Sequence, residues 1–205
     1  LRLYAFGYDA FRLAQQLGGD DDIIGGSGDD QLRGDGPESW ASNQGNDHID
    51  GEEGNDYLFG DGGDDALFGG EGSDVLQGGQ GNDILSGGSG ADILDGGDGA
   101  DTLLGGDGDD QLQSGNGDDT LLGEAGNDTM VGGSGSDNMV GGDGSDTMDG
   151  GADDDVMWGD GGNDVLDGGG GNNLLNGDDG DDHLISSGSN DTLRGGAGND
   201  TYEVG

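Results

Sequence analysis

From Gly51 to Glu203 the chain divides into nine-residue units without one slip of register, 17 in succession. Clean copies are GGEGSDVLQ (69–77), GGQGNDILS (78–86), GGSGADILD (87–95) and GGDGADTLL (96–104). Three earlier units bring the total to 20: LGGDDDII within 16–24, GGSGDDQLR at 25–33, and a unit at 34–50 with an eight-residue insert, residues 37–44. A short fixed period of this kind marks a repeat architecture, in which each unit buries its apolar residue only against its neighbours.

Three columns define the unit. The sixth position is Asp in 19 of 20 units, the exception being Asn173. The eighth is apolar throughout, from Ile23 and Leu32 to Leu193 and Tyr202. The fourth is Gly except at Asp153 and Ser189. Glycine reaches positive φ without steric cost, so Gly-Gly-x-Gly predicts a tight turn. Positions seven to nine, x-apolar-x, alternate as a short strand does, with the apolar residue inward. Two units return the chain to the same side, so 18 residues make one coil. Coils stacked at the strand spacing of about 4.8 Å give a rod on the order of 48 Å long, with two parallel sheets.

Composition adds a requirement. The 205 residues include 55 Gly, 47 Asp and Glu, and four basic residues, Arg2, Arg12, Arg33 and Arg194, for a net charge of -43. Hydrophobic residues are 27%, and with this charge such a chain is ordinarily disordered. Either such a chain is disordered, or something outside the sequence supplies the missing stability, and a bound cation is the obvious candidate. Stacking sets sixth-position carboxylates one coil apart, as in Asp56, Asp74 and Asp92. At about 4.8 Å two of them repel by about 3–4 kcal/mol at an effective dielectric near 20. A divalent ion between each pair reverses the sign. Twenty units form at most 18 such pairs, so about 18 Ca²⁺ is the ceiling, adding +36 against -43. The other acidic residues scatter while Asp holds one column, which a merely solubilising role does not explain.

The same charge excludes partners. Nucleic acid and anionic lipid both need Lys or Arg to offset phosphate, so no nucleic acid is expected. No apolar run approaches the 18 residues of a membrane helix, so no membrane insertion is expected. The absence of cysteine removes disulfides and thiolate metal sites and suits an extracellular protein. A beginning at Leu1 and an ending inside a repeat, at Val204-Gly205, read as a piece of a longer protein.

The pattern G-G-x-G-x-D-x-U-x, known for binding Ca²⁺, resembles the RTX, or haemolysin-type, calcium-binding nonapeptide repeat, over residues 16–203. The resemblance implies an all-β fold, a right-handed parallel β-roll of about ten two-repeat coils with Ca²⁺ in the turns. It implies as ligands the turn carbonyls and the sixth-position aspartates Asp21, Asp30, Asp47, Asp56, Asp65, Asp74, Asp83, Asp92, Asp101, Asp110, Asp119, Asp128, Asp137, Asp146, Asp155, Asp164, Asp182, Asp191 and Asp200. Oxygen-only coordination is what Ca²⁺ prefers. It implies a non-catalytic module of a type I-secreted protein, unfolded for export and folded by external Ca²⁺. A Ca²⁺-dependent module binding polysaccharide or a cell surface is the alternative. No nucleophile–base pair, phosphate loop or G-x-S-x-G supports an enzyme. Weaker metal sites are expected beside Asn173, Asp153, Ser189 and the insert, and in SSGSNDTLR (186–194).

Residues 1–15 are read as an N-terminal helical cap and 16–205 as the roll. Leu3, Phe6, Ala10, Leu13 and Leu17 recur at helical spacing, and an open solenoid end needs a cover. His48 and His183 occupy the outward seventh position and read as exposed strand residues. Met130, Met139, Met148 and Met157 occupy the core eighth position. One sheet carries Phe68, Leu104, Leu122, Val140 and Trp158 at the outward ninth position, a face suited to self-association or domain docking.

Overall fold

The computed structural model describes residues 2–4, 19–34, 44–188 and 190–205, and among these every regular element is a strand. The strands form two parallel sheets of eleven and ten members. Consecutive strands alternate between the sheets, so each strand pairs with the one two places away in sequence. The register is 18 residues per coil: Leu103 lies beside Leu121, and Leu121 beside Met139. The result is a parallel β-solenoid of about nine turns.

The eighth-position residues fill the interior between the sheets. Eighteen of them, from Ile23 to Leu184, are buried in one continuous core, the four methionines included. Leu193 is only partly buried and Tyr202 is 52% exposed. Both lie in the last strands of their sheets, Thr192–Ala197 and Thr201–Val204, with a neighbouring strand on one side only.

The strands are longer than the three residues expected. A typical strand, Val75–Gln80, joins positions seven to nine of one unit to positions one to three of the next. Its burial alternates so that the eighth position and the following first-position glycine both face inward. The double glycine is therefore strand, and the turn contracts to positions four to six. The strand carries on because the second position takes a left-handed φ, 116° at Gly79, that bends the ladder without ending it. Five acidic residues accept the same strained conformation there: Glu52, Asp61, Glu124, Asp160 and Asp178.

Arg2–Tyr4, assigned in sequence to the helical cap, is a strand that pairs in parallel with Asp22–Ser27 and extends the eleven-stranded sheet. A free sheet edge offers unpaired backbone groups, and this segment satisfies them. The rest of the expected cap lies outside the described residues, as do 37–43 of the insert.

The outer faces differ. On the eleven-stranded sheet Leu104, Leu122, Val140 and Trp158 stand side by side in register, and Ser86 separates them from Phe68. Each of these side chains is half-buried. His48 is exposed, 3.4 Å from Asp22 and with its ring 5.3 Å from that of Phe68. His183 lies on the other sheet, 3.8 Å from Glu203.

Candidate metal sites

Each three-residue turn leaves backbone groups that the sheet ladders do not reach, and buried backbone groups need partners. The ladders cover its two ends. The fourth-position N–H donates to the third-position carbonyl of the next coil, as Gly72 does to Ser89, 2.8 Å. The seventh-position N–H donates to the sixth-position carbonyl of the previous coil, as Ile93 does to Asp74, 2.9 Å. The N–H groups of positions five and six remain.

The sixth-position aspartate answers one of them. One carboxylate oxygen, Oδ1, accepts the N–H of the aspartate one coil earlier. Asp74 Oδ1 accepts from Asp56 at 2.7 Å, Asp92 Oδ1 from Asp74 at 2.7 Å, and Asp110 Oδ1 from Asp92 at 2.8 Å. The opposite edge repeats this through Asp83, Asp101 and Asp119. These aspartates are almost wholly buried; Asp56 is 0% exposed.

The other oxygen, Oδ2, is the chemically important one. In Asp56, Asp74, Asp83, Asp92, Asp101, Asp110, Asp119, Asp128, Asp137, Asp146, Asp155, Asp164 and Asp182 it is buried and accepts no hydrogen bond. A buried anionic oxygen without a donor is costly, and here the cost recurs up both edges. Its surroundings are oxygen and glycine. A methyl group on Gly69 would stand 2.4 Å from Asp74 Oδ2 and 2.6 Å from the carbonyl oxygen of Gly87. The first-position glycine is therefore fixed by the approach of its own unit's carboxylate and of the next coil's carbonyl.

Asn173 shows what this oxygen faces. Its Oδ1 keeps the ladder, accepting from Asp155 N–H at 2.8 Å. Its Nδ2, in the place of Oδ2, donates to the carbonyls of Gly168 at 2.7 Å and Gly170 at 3.5 Å. The position of Oδ2 thus lies among carbonyls of the first and third positions, which attract a positive partner and repel a carboxylate. Among the described residues no three His, Cys, Asp or Glu side chains converge. An ion held here would take one or two carboxylates and complete its shell with main-chain carbonyls, the hard oxygen set that Ca²⁺ favours.

In nine of these aspartates burial raises the carboxyl pKa, nearby carboxylates raise it further, and the backbone bond to Oδ1 lowers it in part. Asp56, Asp101 and Asp155 are pushed from 3.8 up to about 7. Asp83, Asp92, Asp110, Asp137, Asp146 and Asp164 rise to about 6.

The family model of the RTX calcium-binding nonapeptide repeat (four copies) matches residues 17–36, 42–76, 68–103, 104–139, 131–166, 140–175 and 167–202. The chain belongs to this family. The break at 37–41 falls in the insert. No curated protein matches the chain. An RTX chain is a calcium-binding repeat module, and the orphaned Oδ2 atoms among carbonyls fit that ion.

The sixth-position residues expected from sequence come together in two files. Asp21, Asp47, Asp65, Asp83, Asp101, Asp119, Asp137, Asp155, Asn173 and Asp191 line the edge leading into the eleven-stranded sheet. Asp30, Asp56, Asp74, Asp92, Asp110, Asp128, Asp146, Asp164, Asp182 and Asp200 line the other. Asp191 and Asp200, near the C-terminal end, are only partly buried.

A second ladder escaped the sequence reading. Fifth-position N–H groups donate to the fifth-position side chain one coil earlier: Ser73 to Asn55 Oδ1 at 2.8 Å, Asn82 to Asp64 Oδ1 at 2.9 Å, Asn199 to Asp181 Oδ1 at 2.7 Å. It runs opposite in direction to the buried ladder and is exposed. Its signal was a column of Asp, Asn or Ser in 18 of 20 units. Ala91 and Ala100 have no acceptor, so the next coil's N–H at Asp109 and Asp118 gains none from them. Ala91→Asn should add one bond and stabilise the folded chain by about 0.5–1.5 kcal/mol, read as a higher Tm at fixed calcium.

The two oxygens of one aspartate can be tested apart. Asp110→Asn keeps the acceptor for Asp92 N–H and should cost one bound ion. Asp110→Ala also strands that buried N–H and should cost a further ~1–3 kcal/mol, measured by calcium-saturated thermal unfolding.

Proposed function

We propose that this module folds as Ca²⁺ fills its turns outside the cell, after export in an unfolded state, and so supports the secretion and stability of a larger protein. What carries the reading is the file of buried Oδ2 atoms that face carbonyls and accept no hydrogen bond. The proposed ligands are the sixth-position aspartates from Asp21 to Asp164 with Asp182 and Asp200, joined by first- and third-position carbonyls. Calcium supplies two positive charges where the fold concentrates negative charge and lone pairs. The residues supply the rest: Oδ1 fixes each carboxylate on its neighbour's backbone, and glycine at position one leaves room for Oδ2. Metal binding is then folding free energy. The test is far-UV circular dichroism of an EDTA-treated chain titrated with Ca²⁺, with Mg²⁺ as control. A cooperative coil-to-β transition with Ca²⁺ alone supports the reading. A β spectrum already present in EDTA at pH 8 sinks it.

A second reading, a Ca²⁺-dependent module for polysaccharide or a cell surface, has one observation in its favour. The outer face of the ten-stranded sheet carries a groove of about 970 Å³. Second-position glycines Gly79, Gly97 and Gly115 form its floor, and Gln77, Asp95, Gln113, Gln80, Asp98 and Asn116 its walls. Arg33 closes one end, 3.1 Å from Asp61 and 5.2 Å above the Phe59 ring. Amide and carboxylate groups at strand spacing suit a hydroxyl-rich chain. Binding on a glycan array that disappears in EDTA and in Gln77→Ala/Gln113→Ala would support this; no signal in calcium would end it.

A further inference from the structure

The departures from the repeat are not spread evenly over the solenoid. In the ten turns that lead into the ten-stranded sheet, units 25–33 to 195–203, position one is always Gly, position four always Gly and position six always Asp. In these three columns every departure falls on the other edge: Gln16, Ser114 and Ser186 at position one, Asp153 and Ser189 at position four, Asn173 at position six, with the insert before Asp47 also there.

Two consecutive rungs of that edge are closed by the protein itself. At Asn173 the amide Nδ2 donates to the Gly168 carbonyl at 2.7 Å and to the Gly170 carbonyl at 3.5 Å. At Asp191 the hydroxyl of Ser186 donates to Oδ2 at 2.5 Å. The Cβ of a position-one residue stands beside both its own unit's Oδ2 and the next coil's carbonyl, as the space around Gly69 shows, and this is why the hydroxyl of Ser186 can reach Oδ2. The backbone ladder runs on unbroken through both rungs: Asp155 N–H donates to Asn173 Oδ1 and Asn173 N–H to Asp191 Oδ1, each at 2.8 Å. The structural role of the sixth residue is kept, while the oxygen that would meet an ion is replaced in one rung and satisfied in the next. Ser114 takes a related step higher on the same edge, donating to the Gly132 carbonyl at 2.7 Å.

We infer that the two edges load calcium unequally: the edge entering the ten-stranded sheet takes ions along its length, whereas the rungs at Asn173 and Asp191 are locked by an amide and a hydroxyl and take none. This rests on the aspartates being calcium ligands, as proposed above. The C-terminal part of the edge entering the eleven-stranded sheet is then held by protein hydrogen bonds, and the ion count falls below the 18 that pairing alone allows.

The experiment counts ions per chain by native mass spectrometry of calcium-saturated protein, in wild type, Asn173→Asp and Ser186→Gly. Each variant returns a unit toward the common pattern and should bind one more ion than wild type. Asn173→Asp should also raise the calcium concentration needed to protect residues 168–194 from hydrogen exchange, because it creates an orphaned oxygen. Equal counts in wild type and both variants, with all three folded by circular dichroism, overturn the inference. So does an Asn173→Asp chain that fails to fold in saturating calcium. A wild-type count of zero removes the calcium-ligand reading itself, and that outcome is distinct because wild type is read first.

Discussion

Chelating calcium from the folded chain is expected to expand its radius of gyration from about 17 Å to roughly 50 Å, the compact and unfolded values for 205 residues. The size of the change follows from how little the fold holds in reserve. A nine-residue unit buries at most one sizeable apolar side chain, the eighth, against the ordering cost of nine backbones and the desolvation of a carboxylate. Neighbouring coils share both ladders, so loss of ions at a few rungs weakens the rungs beside them and the transition is steep. The charge of -43 then drives the unfolded chain apart. Small-angle scattering at pH 8 in calcium, in EDTA and in EDTA with excess magnesium checks this. Magnesium should not restore compactness, since it demands near-octahedral geometry and gives up its water reluctantly. A compact chain in EDTA would mean that the buried aspartates are stable without a cation, and the folding role proposed for calcium would fall.

Much of this fold could be read from three columns of sequence. The 18-residue coil, the parallel pairing and the inward eighth position follow from a period that never slips, and the structure pairs Leu103 with Leu121 as that period requires. What could not be read was the division of labour inside the turn. An Asp column says that a carboxylate is needed at each turn; it does not say that Oδ1 serves the backbone of the previous coil and Oδ2 faces carbonyls. The distinction appears only where chemistry breaks the symmetry, at Asn173, whose amide must place its nitrogen on one side. The double glycine misled for a related reason. Glycine signals a backbone that others cannot adopt, but Gly79 uses its positive φ within a strand and Gly78, at ordinary φ, is required for space beside Asp83. The fifth-position ladder was hidden because Asp, Asn and Ser also mark any exposed turn; only the 18-residue register shows that each caps the next coil. The start of the helical cap failed because Leu3, at helical spacing with Phe6, also lies where a strand completes the sheet edge.

Acid should do part of what calcium does. Asp56, Asp101 and Asp155, at about 7, and Asp83, Asp92, Asp110, Asp137, Asp146 and Asp164, at about 6, bind protons more tightly in the stacked coil than in the unfolded chain, where 3.8 applies. Burial is the main cause, with the neighbouring carboxylates of the file adding to it. A pKa raised by folding means that the folded state carries more protons, so stability falls as pH rises. The contribution is complete below about 3.8 and is lost as pH climbs through 6 to 7. In EDTA the chain should therefore be coil at pH 8 and gain β signal between pH 7 and 5, stopping above the isoelectric point of about 4.1. With calcium present the pH dependence is reversed, because protons and the ion compete for one oxygen. Apparent calcium affinity should drop between pH 8 and 5 while the folded fraction at saturating ion stays constant. Circular dichroism in EDTA and a calcium titration at each pH measure both halves. If the metal-free spectrum is unchanged from pH 8 to pH 5, repulsion and burial at Oδ2 are not what keeps the empty solenoid from assembling, and the obstacle lies instead in the backbone ordering of its glycine-rich turns.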